Sequence, residues 1–133
     1  MNLSGPYMSG IVTLLAIVLY LYMGARVGIL RGRLGIKAPA TTGDPLFERA
    51  FRVHCNTGEQ YIAFLPLLWL ATTFFHTIAW LPALFGIAFI AGRIVYMRLY
   101  MAAPETRIPG AFISMFSNVG LIVLTIIGLI EAG

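Results

Sequence analysis

Charge is what this chain has least of. Nine Lys and Arg with five Asp and Glu make 11% of 133 residues charged, against 59% hydrophobic residues and a mean hydropathy of +0.88. Surface dominates volume in a small domain, and so few charges cannot clothe a soluble one. An ordinary cytosolic domain, a disordered segment and a multidomain protein are all excluded. Cysteine is nearly absent too. Cys55 alone permits no intramolecular disulfide, no paired-cysteine redox centre and no cysteine-rich metal cage. No strand pattern is evident, so no glycine-rich phosphate loop has a strand to follow. What remains is an integral membrane protein forming one domain over residues 1–133.

Four long apolar stretches are present, and a spanning helix needs about 20 apolar residues. The expected spans are residues 6–25, 47–75, 79–103 and 108–130. The first is free of charge and is followed by Arg26; the second carries a polar helical lead from Phe47 to Tyr61. Breakers stand at the joins: Pro39, the run Thr41 to Pro45, Pro82, and Pro104 to Gly110. The expected fold is an all-α, four-transmembrane-helix bundle. No basic residue precedes the first apolar run and no small-residue cleavage pattern follows it, so it reads as a span rather than a cleavable signal.

The basic residues fall in two places: Arg26, Arg31, Arg33, Lys37, Arg49 and Arg52 around the first connection, and Arg93, Arg98 and Arg107 around the third. The connection His76 to Pro82 and both ends of the chain have none. The positive-inside rule then sets connections one and three in the cytoplasm and both termini on the opposite side. In a chain of this size the bacterial inner membrane is the expected location. The same asymmetry explains the net charge of +4 without nucleic acid as a partner.

Orientation does not require polar residues within the helices. With Phe47 to Tyr61 helical, Arg49, Arg52, Asn56 and Glu59 share an arc of about 80°, and Glu48 can pair with Arg52 one turn on. On the third helix Arg93, Tyr96 and Tyr100 share a face, and Arg107 returns to it if the helix runs through Pro104. Such residues can pair with one another or anchor a helix at the headgroups, with membrane lipid as partner. Arginines in excess of local carboxylates can equally hold an anion. Spacing alone leaves both readings open. A donor-rich site with one carboxylate and one amide suits a zwitterionic small peptide.

The run from Phe47 to Glu59 resembles the E-R-x-x-R-x-H/Q-x-N-x-x-E signature of the MAPEG family, membrane-associated proteins in eicosanoid and glutathione metabolism. Arg93 to Tyr100 resembles its R-x-x-Y-x-x-x-Y segment, with Arg107 at the spacing of the family's catalytic arginine. Pro39 to Gly43 is similar to a loop of the cysteinyl-leukotriene synthase branch. The resemblance implies a homotrimer of four-helix subunits binding glutathione between neighbours as co-substrate, with no metal. It implies that Arg52, Asn56 and Glu59 hold the glutathione backbone and charged ends and that Tyr96 and Tyr100 line the pocket beside Arg93. Arg31 and His54 would then face a neighbouring subunit's site, and Arg107 would stabilise the thiolate. Two positions depart from the leukotriene branch: Gly32 replaces a second arginine, and Gln60 follows Glu59 where that branch has tyrosine.

The implied activity is that of a glutathione transferase of the detoxification type acting on hydrophobic electrophiles, and a peroxidase where a lipid hydroperoxide is attacked. A scaffold of the same fold that binds lipid or fatty acid without catalysis is the alternative. A small multidrug exporter is disfavoured by the charge-free first span, and a quinone-linked thiol oxidase by the lone Cys55. Cys55 reads as a packing residue, and His76 as an interfacial one; with His54 they form no metal-ligand spacing.

Overall fold

A computed structural model of the chain describes residues 4–133. It contains four long helices and no strand among the described residues: α1 (Gly5–Arg33), α2 (Pro45–Phe74), α3 (Leu81–Ala102) and α4 (Ile108–Ala132), with a single 3-10 turn (Pro104–Thr106) before α4.

Each helix starts where a proline supplies a preset φ and has no N–H to strand. At α2 the cap is explicit, the Asp44 carboxylate accepting from Leu46 N–H at 2.8 Å. The end of α1 differs from expectation. The helix does not stop near Arg26 but continues to Arg33, because a charged residue leaves the bilayer without breaking the hydrogen-bond ladder. Gly35 stops it, taking φ +66° so that Ile36 N–H reaches back to the Arg31 carbonyl at 3.0 Å.

α1, α3 and α4 are each long and apolar enough to cross a membrane. α2 has the length, 30 residues, but its first half is polar. α2 also packs against all three other helices. Its Phe64 ring lies 3.8 Å from that of Phe89 on α3, nearly parallel at 2°, and both are fully buried. Against α1 it makes polar contacts instead. Tyr61 donates to the Ala16 carbonyl at 2.6 Å, Ser9 and Thr72 hydroxyls meet at 2.7 Å, and Trp69 donates to Thr13 at 3.1 Å.

The exterior is inverted relative to a soluble protein. Ser9, Thr57, Thr72, Ser114 and Ser117 are buried, while Leu14, Leu21, Ile62 and Phe116 are more than half exposed. The two ends of the bundle are also distinct. Arg49 at the start of α2 donates to the Met101 and Ala102 carbonyls at 3.1 and 3.2 Å, which puts connections one and three at the same end. Thr77 donates to the Glu131 carboxylate at 3.2 Å, joining the second connection to the C-terminal end of α4 at the other.

Candidate active site at the basic end of the bundle

Arg93 is the starting point. It lies nine residues, about two and a half turns, before the end of α3 and is 3% exposed, yet its hydrogen-bond partner is not a carboxylate. The Thr57 hydroxyl accepts from Nε at 3.2 Å and from Nη2 at 2.9 Å, and the guanidinium sits 4.0 Å from the Tyr96 ring centroid. A guanidinium held this way keeps its full positive charge facing whatever enters beside it. Asn56 donates to the Tyr96 hydroxyl at 2.7 Å, linking α2 to α3 at the next turn.

Arg93, Tyr96 and Asn56 form part of the wall of an open cavity of ≈ 460 Å³. Asn56, Glu59 and Gln60 come from α2, Arg93 and Tyr96 from α3, and Arg107 from the head of α4. The opposite wall is apolar: Ala111, Met115, Val119 and Ile122 of α4. One half of the cavity offers two guanidiniums, a carboxylate and the Asn56 amide; the other is apolar apart from the Gln60 and Asn118 carboxamides. A polar anion-bearing molecule and an apolar one would be adjacent there.

Close packing of α3 on α4 shapes this cleft. A Cβ at Gly110 would collide with the Tyr96 backbone, and one at Gly92 would lie 2.7 Å from the Ser114 hydroxyl. Only glycine permits that approach.

Arg107 reaches the cavity by a route different from the expected one. α3 does not run through Pro104. Ala103, the residue before proline, is extended at φ −155° and ψ 110°, and the chain turns before α4 starts. Arg107 therefore shares no helix with Arg93. Its Nη1 donates to the Pro104 carbonyl at 3.0 Å, within the turn, and the side chain still borders the cavity.

Of the residues singled out from sequence, Asn56, Glu59, Arg93, Tyr96 and Arg107 meet at this cavity, and four others stand apart from it within the chain. Arg52 is exposed in a separate groove of ≈ 350 Å³ with Thr41, Thr42, Glu48 and Phe51. Arg31 donates to the Ala40 carbonyl at 2.8 Å and covers the Phe47 ring at 4.8 Å, fastening the first connection onto α2. His54 stacks on Tyr20 of its own α1 at 4.3 Å, beside Gly24. Tyr100 packs behind Tyr96, ring to ring at 5.5 Å. The polar stripe on α2 is thus divided among three surroundings, with Arg49 spent on the α3 terminus.

Three contributors escaped sequence reasoning. Thr57 orients Arg93, and Gln60 and Asn118 line the cavity. Asn118 had a readable signal, an amide inside the apolar run from Ile108 to Ile130. Thr57 had none, since a threonine in a helix is unremarkable until its partner is known. Among the described residues no cluster of His, Cys, Asp and Glu is arranged to hold a metal ion.

Comparison with known proteins supplies the context. The model of the MAPEG family matches residues 9–127. An uncharacterized protein of Synechocystis is 41% identical over 114 residues, covering 85% of this chain and 81% of that protein. Leukotriene C4 synthase of Bos taurus is 34% identical over 119 residues, covering 90% and 78%. Microsomal glutathione S-transferase 2 of Mus musculus is 36% identical over 117 residues, covering 88% and 78%. With a family model spanning nearly all of its length, the chain belongs to the MAPEG family.

Proposed function

We propose that the chain is a membrane-bound glutathione transferase in which Arg107 stabilises the glutathione thiolate for attack on a hydrophobic electrophile. The observation that carries this reading is the convergence of Arg93 and Arg107 with Asn56, Glu59 and Tyr96 on one side of a single cavity whose other side is hydrocarbon. Glutathione has two carboxylates, an ammonium and a thiol. The guanidiniums and Asn56 suit its anionic and amide groups, and Glu59 suits its ammonium. The names of the relatives, a leukotriene C4 synthase and a microsomal glutathione S-transferase, favour the same chemistry.

An unperturbed thiol, with a pKa of about 8.5, is only a few per cent thiolate at neutral pH. A guanidinium beside the sulfur favours the anion, each pKa unit of lowering corresponding to about 1.4 kcal/mol. The thiolate attacks an electrophilic carbon, a C–S bond forms, and the displaced electron pair leaves with the leaving group or is protonated. With a lipid hydroperoxide the O–O bond breaks instead, giving an alcohol and a sulfenic acid that a second glutathione converts to disulfide and water.

The full proposal includes a homotrimer of four-span subunits. Arg31, Arg52, His54 and Tyr100, which lie outside the cavity within one chain, belong to the glutathione site through the interface with a neighbour. The basic end faces the cytoplasm of a bacterium, a setting favoured by the likeness to the Synechocystis protein.

The test is ultraviolet absorbance of the glutathione thiolate as purified protein in detergent is titrated. Wild type should generate the signal, and Arg107→Ala should abolish it while oligomer size and helix content are unchanged. A wild-type protein that raises no thiolate signal sinks the enzyme reading and leaves a lipid-binding scaffold.

A further inference from the structure

The deep half of the cavity contains a feature that thiol activation does not use. Two carboxamides, Gln60 of α2 and Asn118 of α4, line it among Met115, Val119 and Ile122. They lie at similar depth. The Tyr61 and Phe89 rings are 6.0 Å apart, and Gly120 abuts Phe85, which puts Gln60 and Asn118 roughly level with residues 85–89 along the bundle. That is about one turn or more beyond Arg93, and Asn118 stands eleven residues along α4 from Arg107, roughly 16 Å of helix rise. Asn118 Oδ1 is buried with no hydrogen-bond partner, the one such side-chain atom among the described residues.

An amide placed in hydrocarbon with its acceptor unpaired is costly, and its retention calls for a partner that arrives with a ligand. The partner's chemistry is constrained. The unpaired atom is an acceptor, so the incoming group must donate to it, and to use the Gln60 amide lining the same cavity it must also be able to accept. A carboxylate or ketone oxygen accepts only. A hydrocarbon chain does neither. A hydroxyl does both, donating to Asn118 Oδ1 while accepting from the Gln60 amide.

We propose that Gln60 and Asn118 form a specificity subsite for a hydroxyl group on the chain of the apolar co-substrate, placed away from the reacting carbon. This rests on the transferase reading and narrows it: the electrophile class is a hydroxylated long-chain one rather than a plain hydrocarbon one.

The experiment uses full-length protein in lipid nanodiscs and medium-chain 2-alkenals carrying a hydroxyl at successive chain positions, with the plain 2-alkenal as reference. Conjugation to glutathione gives kcat/KM, normalised to the uncatalysed rate of each alkenal. Binding is read separately, from the rise in unfolding midpoint caused by the saturated, unreactive analogues. The expected result is a preference of roughly tenfold for one hydroxyl position in both readouts, removed by Asn118→Leu and reduced by Gln60→Leu. No position preferred over the plain chain overturns the proposal, as does a preference that persists in both variants. A positional preference in binding together with no conjugation of any alkenal upholds the subsite and overturns the transferase reading instead. Gln60 is exposed, so its variant remains informative if Asn118→Leu fails to fold.

Discussion

A buried arginine without a carboxylate is usually an expense, since the guanidinium gives up hydration and gets no opposite charge in return. Arg93 shows how the cost is limited. Two of its N–H groups converge on the Thr57 hydroxyl, its face rests on Tyr96, and the remaining edge borders the cavity. The geometry is rigid because Thr57 is itself fully buried in α2. Thr57→Val keeps the shape and removes the acceptor, stranding two charged donors. It should lower stability by roughly 1–3 kcal/mol. Thr57→Ser, which retains the hydroxyl, should lose well under half of that. Unfolding midpoints of the two variants in one detergent decide the matter, and equal losses would mean that the methyl group, not the hydroxyl, is what counts.

At the scale of elements, α3 and α4 owe their contact to missing side chains. Gly110 lies against the Tyr96 backbone with no room for a Cβ, whereas Gly28 on α1 has nothing within 4 Å of where its Cβ would be. Gly110→Ala should therefore force the helices apart and cost about 1–3 kcal/mol. Gly28→Ala should be neutral or stabilising by up to about 1 kcal/mol through helix propensity alone. The same pair separates site from scaffold, because moving α4 also moves Arg107 and should weaken glutathione binding only in the Gly110 variant. A Gly110→Ala protein with wild-type midpoint and affinity would show that the helices yield freely there.

Elements were also where sequence reading did best and failed most instructively. Apolar runs located all four helices, since length and hydropathy are local properties. The 100° period correctly put Asn56 and Glu59 on one face of α2. It also put Arg49 and Arg52 there, but a face carries no knowledge of its neighbours, and α2 has three. Arg49 meets the end of α3 and Arg52 a loop groove, while Asn56 and Glu59 meet the cavity. Arg107 was reached through a helix that Pro104 does not allow, and chain reversal brought it to the same place. What needs two distant segments at once, the bond of Thr57 to Arg93 and the shared cavity lined by Gln60 and Asn118, was beyond any single-segment pattern.

For the whole molecule, the decisive asymmetry is between its ends. Connections one and three, with the basic residues, lie together at the end where the cavity is lined by Arg93 and Arg107, and the second connection lies with the end of α4 at the other. Positive charge resists translocation, so the arginine-rich end should remain on the cytoplasmic side, where thiols are kept reduced and a glutathione enzyme finds its substrate. Topology and function thus make one prediction. In a Cys55→Ser background, Lys37→Cys lies in the first connection and Gly133→Cys at the end of the chain. A membrane-impermeant maleimide applied to intact bacterial spheroplasts should label Gly133→Cys at once and Lys37→Cys only after permeabilisation. The reverse pattern would put the cavity's polar half on the outer side, away from the reduced glutathione pool, and would break the link between charge distribution and chemistry on which the transferase reading depends.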